Sequence, residues 1–428
     1  LQQFINTVED TCPYPEWPLL RQIAGQWQSI VIEAGGAVGE EVLREPVSNP
    51  YEGYSGLPVI GKTFIGRQRV MKQIETRLAA SQSMPAIILF GHRRMGKTSI
   101  LRNLEQSAAP GTLLVYLDMQ NAGWVGHTGQ LLLDFAEAIH RRAAEAGLDA
   151  GPPPAEADYG DINSARRALN ALLARLDPQM QDRRLILAVD EFELIEDGIQ
   201  QGRIDPGVLP YLRSLIQQHR WLALVFGGLH TLDEMGRDYK AAFYGQTEHV
   251  RVGYLNHDDA IRLITQPHPD FALEYAPELR EEIYRLTYGQ PYLLQRLCWE
   301  LVSRWNERFP DHGEKMPRTL ELADLEAVLT ADFYASAAYY FDGVWSNITD
   351  AEQAVIQAMA RREQPWTRAE LEAVLSGKVD LAATLKLLRR HDVIVEDAGG
   401  VRFAAGLMRR WVVRHMDSER DAGRIETT

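Results

Sequence analysis

Short, continuous apolar runs recur along the first 255 residues, and stretches with helical spacing separate them. The runs cover residues 86–90, 113–117, 185–189 and 221–226. Runs of five or six apolar residues are typical of strands that are buried on both faces of a parallel sheet. The helical stretches cover residues 68–80, 129–146 and 162–176. This alternation predicts an α/β domain with a parallel sheet over residues 49–255, closed by a last strand at 249–255.

Beyond position 256 the apolar pattern is helical only. Asn256 is a good N-cap residue, and the sequence Tyr288-Gly289-Gln290-Pro291 ends one helix and starts the next. These features predict an all-helical domain over residues 256–346. Ahead of the α/β domain, residues 1–48 are expected to form a helical segment or a linker.

The last part of the chain carries three short helical stretches and then two strands. Thr349 or Asp350 caps the first helix, Thr367 caps the second, and residues 398–400 form the turn between the strands. This order resembles a winged helix, which we predict over residues 347–416. Residues 417–428 are expected to be a polar tail.

A glycine-rich loop follows the first apolar run. It consists of Gly91, His92, Arg93, Arg94, Met95, Gly96, Lys97, Thr98 and Ser99. The pattern G-x-x-x-x-G-K-T between a strand and a helix is a P-loop, whose backbone N–H groups surround phosphate oxygens. Lys97 is then placed to bridge the β- and γ-phosphates of ATP, and the Thr98 hydroxyl is placed to bind Mg²⁺.

Two acidic residues end the apolar run at 185–189. Asp190 follows the run directly and Glu191 comes next. Magnesium prefers oxygen ligands, and a carboxylate at the end of a parallel strand beside a P-loop can hold it. Glu191 is the candidate for orienting and deprotonating the attacking water, whereas Glu193 and Glu196 are expected to be acids on a helix surface.

Composition narrows the class of protein. The 428 residues suggest two or three domains, and a net charge of −14 argues against non-specific binding to nucleic acid or anionic membranes. Two cysteines, Cys12 and Cys298, fit a reducing cytoplasm and no zinc site. No apolar run approaches the length of a membrane span. Because the chain begins at Leu1, it is expected to be a piece of a longer polypeptide, with an effector or sensor domain elsewhere in that polypeptide or on a partner.

The motifs together resemble a known family. They comprise residues 49–58, Phe64-Ile65-Gly66-Arg67, residues 90–101 and residues 115–120. This combination is similar to the STAND branch of the AAA-related P-loop ATPases. The resemblance implies an α/β P-loop NTPase domain followed by an all-α lid and a winged helix. It also implies that Pro291 of the lid packs against adenine, and the placement of Ile65 and Arg67 suggests that they lie near the same base.

A polar sensor residue should stand at the end of the strand that contains residues 221–226, if the resemblance holds. The matching positions are Gly227, Gly228 and, beyond them, His230, so a conventional sensor is in doubt. Arg237 is a candidate arginine finger toward a neighbouring subunit, although a solvated surface arginine explains it as well.

The expected function is a switch in signalling or defence that binds and slowly hydrolyses ATP with Mg²⁺ and self-associates when activated. The alternative is a DNA-binding AAA-type ATPase, which would use Lys386, Arg389 and Arg390 on the third helix of the winged helix. Glu396 and Asp397 in the expected wing do not favour DNA. A scaffold without ATPase activity is a third reading, and the intact P-loop and Asp190-Glu191 argue against it.

Overall fold

The structure is a computed structural model, and it describes residues 46–80, 86–120, 127–228, 247–312 and 318–425. Most of the helical segment expected at 1–48 therefore lies outside the described residues, as do His230 and Arg237. Among the described residues, no helix combines the length and apolar character that crossing a membrane requires.

A five-stranded parallel sheet forms the centre of the first part of the chain. The strands are β1 (Ala86–Phe90), β2 (Thr112–Asp118), β3 (Arg184–Asp190), β4 (Leu222–Gly228) and β5 (Thr247–Arg251). Their order is β2-β3-β4-β1-β5. Ala86 and Ile88 of β1 pack into one core, whereas Ile87 and Leu89 pack into a second core. Burial on both faces explains the continuous apolar runs, and the predicted parallel α/β sheet is confirmed.

Helices cover both faces of this sheet. They are α1 (Gln68–Ala80), α2 (Lys97–Ser107), α3 (Thr128–Glu145), α4 (Ile162–Leu176), α5 (Glu193–Gln200) and α6 (Val208–Gln218). The last strand differs from its predicted range of 249–255. It ends at Arg251, because the Leu255 N–H donates a hydrogen bond to the carbonyl of Gly289 at 2.8 Å and so belongs to the contact with the helical region.

The helical region follows as predicted and contains one short parallel strand pair. Its elements are α7 (His257–Thr265), β6 (Glu274–Tyr275), α8 (Pro277–Thr287), α9 (Pro291–His312), β7 (Thr319–Leu320), α10 (Leu322–Val328), α11 (Ala331–Ser336) and α12 (Ala338–Ser346). Asn256 caps α7, since its side chain accepts a hydrogen bond from the Asp259 N–H at 2.9 Å. Pro291 begins α9, and Cys298 of the same helix is part of the apolar core of this region.

Three helices and a hairpin follow, in the predicted order. They are α13 (Asp350–Ala360), α14 (Arg368–Leu375), α15 (Leu381–Arg390), β8 (Ile394–Asp397) and β9 (Gly400–Phe403). Thr349 and Thr367 cap α13 and α14, each with a reciprocal glutamate three residues on. A further helix, α16 (Gly406–Ile425), was not predicted. It runs into the expected polar tail, because Leu407, Trp411 and Val412 anchor its first turns in the core.

Candidate nucleotide site

The P-loop connects the end of β1 to the start of α2, and two glycines allow its path. A Cβ atom at Gly91 would lie 2.2 Å from the Val252 carbonyl oxygen, so no side chain fits there. Gly96 has a φ of 85°, a conformation that favours glycine, immediately before the first turn of α2. The chain directly after β5 thus packs against the loop, and the loop leads straight into α2.

Lys97 is the first residue of α2 and is buried. Its ammonium group donates hydrogen bonds to the carbonyl oxygens of Gly91 at 2.7 Å and His92 at 3.0 Å. Burial lowers the pKa of Lys97, and the nearby carboxylate of Glu193 opposes that shift. The loop therefore supplies the lysine with acceptors that phosphate oxygens could replace.

Asp190 ends β3 beside the P-loop, and its carboxylate is almost fully buried. Its Oδ2 atom accepts a hydrogen bond from the Tyr116 hydroxyl at 3.0 Å, and the Thr98 hydroxyl is also hydrogen-bonded to the carboxylate. Burial is the main cause that raises the pKa of Asp190. A carboxylate and a hydroxyl at the same point are hard oxygen donors, so Thr98 and Asp190 fit a magnesium ion.

Glu191 follows with a φ of 53°, which is uncommon for a residue with a side chain. Burial and then the charge of Glu193 raise the pKa of Glu191 to about 7. Its side chain faces the same cavity as Lys97 and Thr98. The structure thus brings the two predicted acids and the P-loop to one edge of the sheet.

The expectation for Glu193 and Glu196 is corrected. Both carboxyl oxygens of Glu193 are buried, and its side chain shares a hydrogen bond with the carboxyl group of Glu191. Glu196 is buried as well. The sequence did offer one signal for a place near the site: Glu193 follows Asp190, the last residue of β3, by three positions. Its burial depends on Gly228 of β4, which the sequence alone does not place beside it.

A cavity of about 250 Å³ lies between the P-loop, the segment before α1 and the start of α9. Its walls include Ile65, Arg67, Ser99 and Pro291. The Arg67 guanidinium donates to the Met95 carbonyl at 2.6 Å, and burial lowers the pKa of Arg67 to about 10 while the charge of Asp259 opposes this. Arg67 therefore holds the P-loop through the Met95 carbonyl and also forms part of the cavity wall.

The remaining P-loop side chains contact later parts of the chain. Arg94 lies over the rings of Tyr292 at 4.3 Å and Tyr339 at 5.0 Å, and its carbonyl accepts a hydrogen bond from Gln290 at 3.2 Å. Met95 is buried in the core, and Arg93 is exposed at the cavity. These contacts join the P-loop to helices α9 and α12.

His92 contacts the C-terminal region instead. Its Nε2 atom lies 3.1 Å from the carbonyl oxygen of Arg390, and its ring packs edge-on against the ring of His391 at 5.6 Å. The end of α15 therefore reaches the phosphate-binding loop itself.

Two glycines occupy the end of β4, where a polar sensor was in doubt. A Cβ at Gly227 would lie 2.8 Å from Asp190 Oδ1, and a Cβ at Gly228 would lie 2.8 Å from Glu193 Oε2. Strand β4 lies between β1 and β3. The glycines leave room for two carboxylates between the P-loop strand and the Asp190 strand.

Comparison with known sequences gives one family. Residues 63–226 match the family described as AAA ATPase domain. This range contains the P-loop, Asp190, Glu191 and Glu193. No curated protein gives a match to the chain.

Solved structures extend the comparison to the fold. The Walker-type ATPase of Pyrococcus abyssi shares 16% sequence identity, covers 84% of this chain and 99% of its own, and has a TM-score of 0.57. Cdc6p from Pyrobaculum aerophilum shares 14% identity over 87% of this chain and 100% of its own, with a TM-score of 0.41. The Orc1 protein of Aeropyrum pernix, solved in complex with DNA, shares 14% sequence identity. The match covers 85% of this chain and 95% of the Orc1 chain, with a TM-score of 0.42. The fold is that of a P-loop ATPase, and residues 63–226 are similar to the AAA ATPase domain family.

Proposed function

We propose that the chain is a STAND-type molecular switch that binds ATP with Mg²⁺ and hydrolyses it. In this proposal, the bound nucleotide decides whether the helical and C-terminal regions stay closed on the ATPase domain. The observation that carries it is the contact of both regions with the P-loop, through Arg94 with Tyr292 and through His92 with Arg390 and His391. A loop that holds phosphate and docks two regions is able to couple the two events.

Hydrolysis requires few groups beyond those at the sheet edge. Lys97 would exchange the carbonyl oxygens of Gly91 and His92 for phosphate oxygens, and Thr98 with Asp190 would hold the metal ion. Magnesium supplies charge neutralisation on the phosphates. Glu191 would accept the proton of the attacking water, a role that suits a carboxyl group whose pKa lies near 7.

The closed arrangement has a second set of contacts at the end of β5. Arg251 pairs with Asp392 at 2.6 Å, and the Tyr254 hydroxyl donates to the Asp392 carbonyl oxygen. We propose that helices α13 to α15 and the hairpin β8-β9 form a winged helix, that ADP favours its closed position, and that ATP permits opening and self-association. A conformational change of this kind needs contacts that distinguish the two nucleotides, here those at the γ-phosphate.

The site is tested with two variants that should differ in outcome. Lys97→Ala should lose ATP binding, whereas Glu191→Gln should bind ATP and not turn it over, by equilibrium binding and phosphate release. Lys72→Ala on α1 and Glu137→Gln on α3 are exposed matched controls and should behave as wild type. ATPase rates that are equal in wild type, Lys97→Ala and Glu191→Gln would refute the site.

The switch is tested by the nucleotide that the purified protein retains. Denaturing protein that has never been supplemented with nucleotide should release about one ADP per chain if ADP holds the closed form. An empty site with ready turnover of added ATP would contradict the switch and favour a freely cycling ATPase.

DNA binding is the second candidate function. The favourable observation is the exposure of Lys386, Arg389 and Arg390 on α15, the third helix of the proposed winged helix. Against it, Arg389 is paired with Glu396 at 3.1 Å, and the end of α15 faces the P-loop. Duplex binding measured against salt should show a steep negative slope if phosphate contacts form, and absence of binding at low salt would remove this candidate.

A further inference from the structure

We infer that Glu193 is a second carboxylate of the hydrolytic centre and positions the water that Glu191 activates; this rests on the proposed ATPase activity. Glu193 is the first residue of α5, three positions after Asp190. Both of its carboxyl oxygens are buried, and its side chain shares a hydrogen bond with the carboxyl group of Glu191. Burying two carboxyl groups side by side costs free energy, so the pair needs an explanation.

The neighbours of Glu193 place it at the phosphate site. Its Oε2 atom lies above Gly228, where a Cβ would approach to 2.8 Å. Glu193 is also the acid with the strongest electrostatic effect on Lys97, ahead of Glu191 and Asp190. Since β4 lies between β1 and β3, the end of β4 is the point of the sheet edge between the P-loop and Asp190. The carboxylate of Glu193 thus lies beside Lys97 and Glu191, the two groups that would contact the terminal phosphate and its attacking water.

Water that attacks a phosphoryl group must direct one lone pair at phosphorus. A single carboxylate fixes one of its O–H bonds and leaves rotation about that bond free. A second acceptor on the other O–H bond would fix the direction of the lone pair. Fixing this orientation lowers the activation free energy of the reaction. In the reaction, a bond forms between the water oxygen and phosphorus, the bond to the leaving oxygen of ADP breaks, and Glu191 takes one proton. Glu193 accepts a hydrogen bond and takes part in no bond change.

The glycine at the end of β4 supports the same assignment. Apart from its two final glycines, β4 is apolar and fully buried, so a glycine at its end gives up the packing that a side chain would supply. Its benefit is space for the carboxylate of Glu193. If Glu193 served only to balance the charge of Lys97, its removal would change nucleotide binding and stability and would leave kcat unchanged.

The test separates turnover from binding. Glu193→Ala should lower kcat for ATP about 10- to 100-fold and change the Kd for ATP less than about 3-fold. Glu193→Gln keeps one acceptor oxygen and should retain more activity than Glu193→Ala. Asp197→Asn, an exposed acid on the same helix, is the matched control and should leave both values unchanged.

A second variant probes the position of Glu193 without removing it. Gly228→Ala should displace the carboxylate, so that kcat falls while Kd stays nearly constant. Combining Gly228→Ala with Glu193→Ala should cost no more than Glu193→Ala alone, because both changes remove one interaction.

Three results would overturn the inference. The first is a kcat for Glu193→Ala within about 3-fold of wild type while Glu191→Gln is inactive, which leaves the proposed ATPase function intact. The second is a loss that appears in Kd and not in kcat, as a structural role predicts. The third is a wild-type chain that binds ATP without turning it over, which removes the proposed activity together with this role.

Discussion

At the scale of single residues, the charged groups at the sheet edge are mostly held by other parts of the chain. Lys97 donates to two loop carbonyls, and Asp190 is held by Tyr116 and Thr98. Binding a nucleotide therefore exchanges these hydrogen bonds for others, and only the difference contributes to affinity. Glu191 and Glu193 differ from these groups, because their carboxyl groups bond each other.

The thiol of Cys298 should be inert in the folded protein. It is fully buried, and burial raises its pKa to about 12, so only about one part in 10,000 is thiolate at pH 8. In a Cys12→Ser variant, a thiol reagent at pH 8 should label native protein negligibly over an hour and label one thiol per chain in denaturant. Reactivity should rise with pH only as the thiolate forms. Rapid stoichiometric labelling of native protein at pH 8 would contradict the burial.

At the scale of elements, the sequence predicted what is determined locally. Strands buried on both faces appear as apolar runs, and side-chain caps such as Thr349 and Thr367 mark where helices begin. The end of β5 and the extent of α16 were not predictable, because contacts far along the chain decide them. Leu255 bonds Gly289, and Trp411 packs on Phe341. The burial of Glu193 was missed for the same reason.

The junction between α8 and α9 should be intolerant of substitution at Gly289. This residue has a φ of 73°, and a Cβ would lie 2.3 Å from the Leu255 carbonyl oxygen. Gly289→Ala should lower the free energy of unfolding by about 2–4 kcal/mol, measured by denaturant titration, because strain and a backbone clash add.

The control for Gly289 lies within a helix of the same region. Gly343 of α12 has no atom within 4 Å of an added Cβ. Gly343→Ala should raise the free energy of unfolding by about 0.5–1 kcal/mol, since alanine is the better helix former. Equal effects at the two positions would mean that the junction is not tightly constrained.

At the scale of the whole molecule, the P-loop is a contact surface for two later regions as well as the proposed phosphate site. Residues 92 and 94, two positions apart, contact α15 and α9 respectively. A nucleotide that shifts this loop by a small distance would act on both regions at once. The proposed switch therefore needs no separate relay between the site and the C-terminal region.

The ion pair between Arg251 and Asp392 should slow the release of bound nucleotide if closure retains it. Asp392 has a φ of 54°, which asparagine also tolerates, so Asp392→Asn removes the charge without new backbone strain. The pair is half exposed on the arginine side and is worth about 1 kcal/mol or less. We expect a fluorescent ADP analogue to dissociate about 2- to 5-fold faster from Asp392→Asn in stopped-flow displacement. High salt should remove the difference, since it screens exposed charges.

Asp397→Asn is the matched control: it breaks the pair with Arg402 in the hairpin, at 3.6 Å, and should leave the rate unchanged. An equal acceleration in both variants would show that closure through Asp392 does not retain the nucleotide.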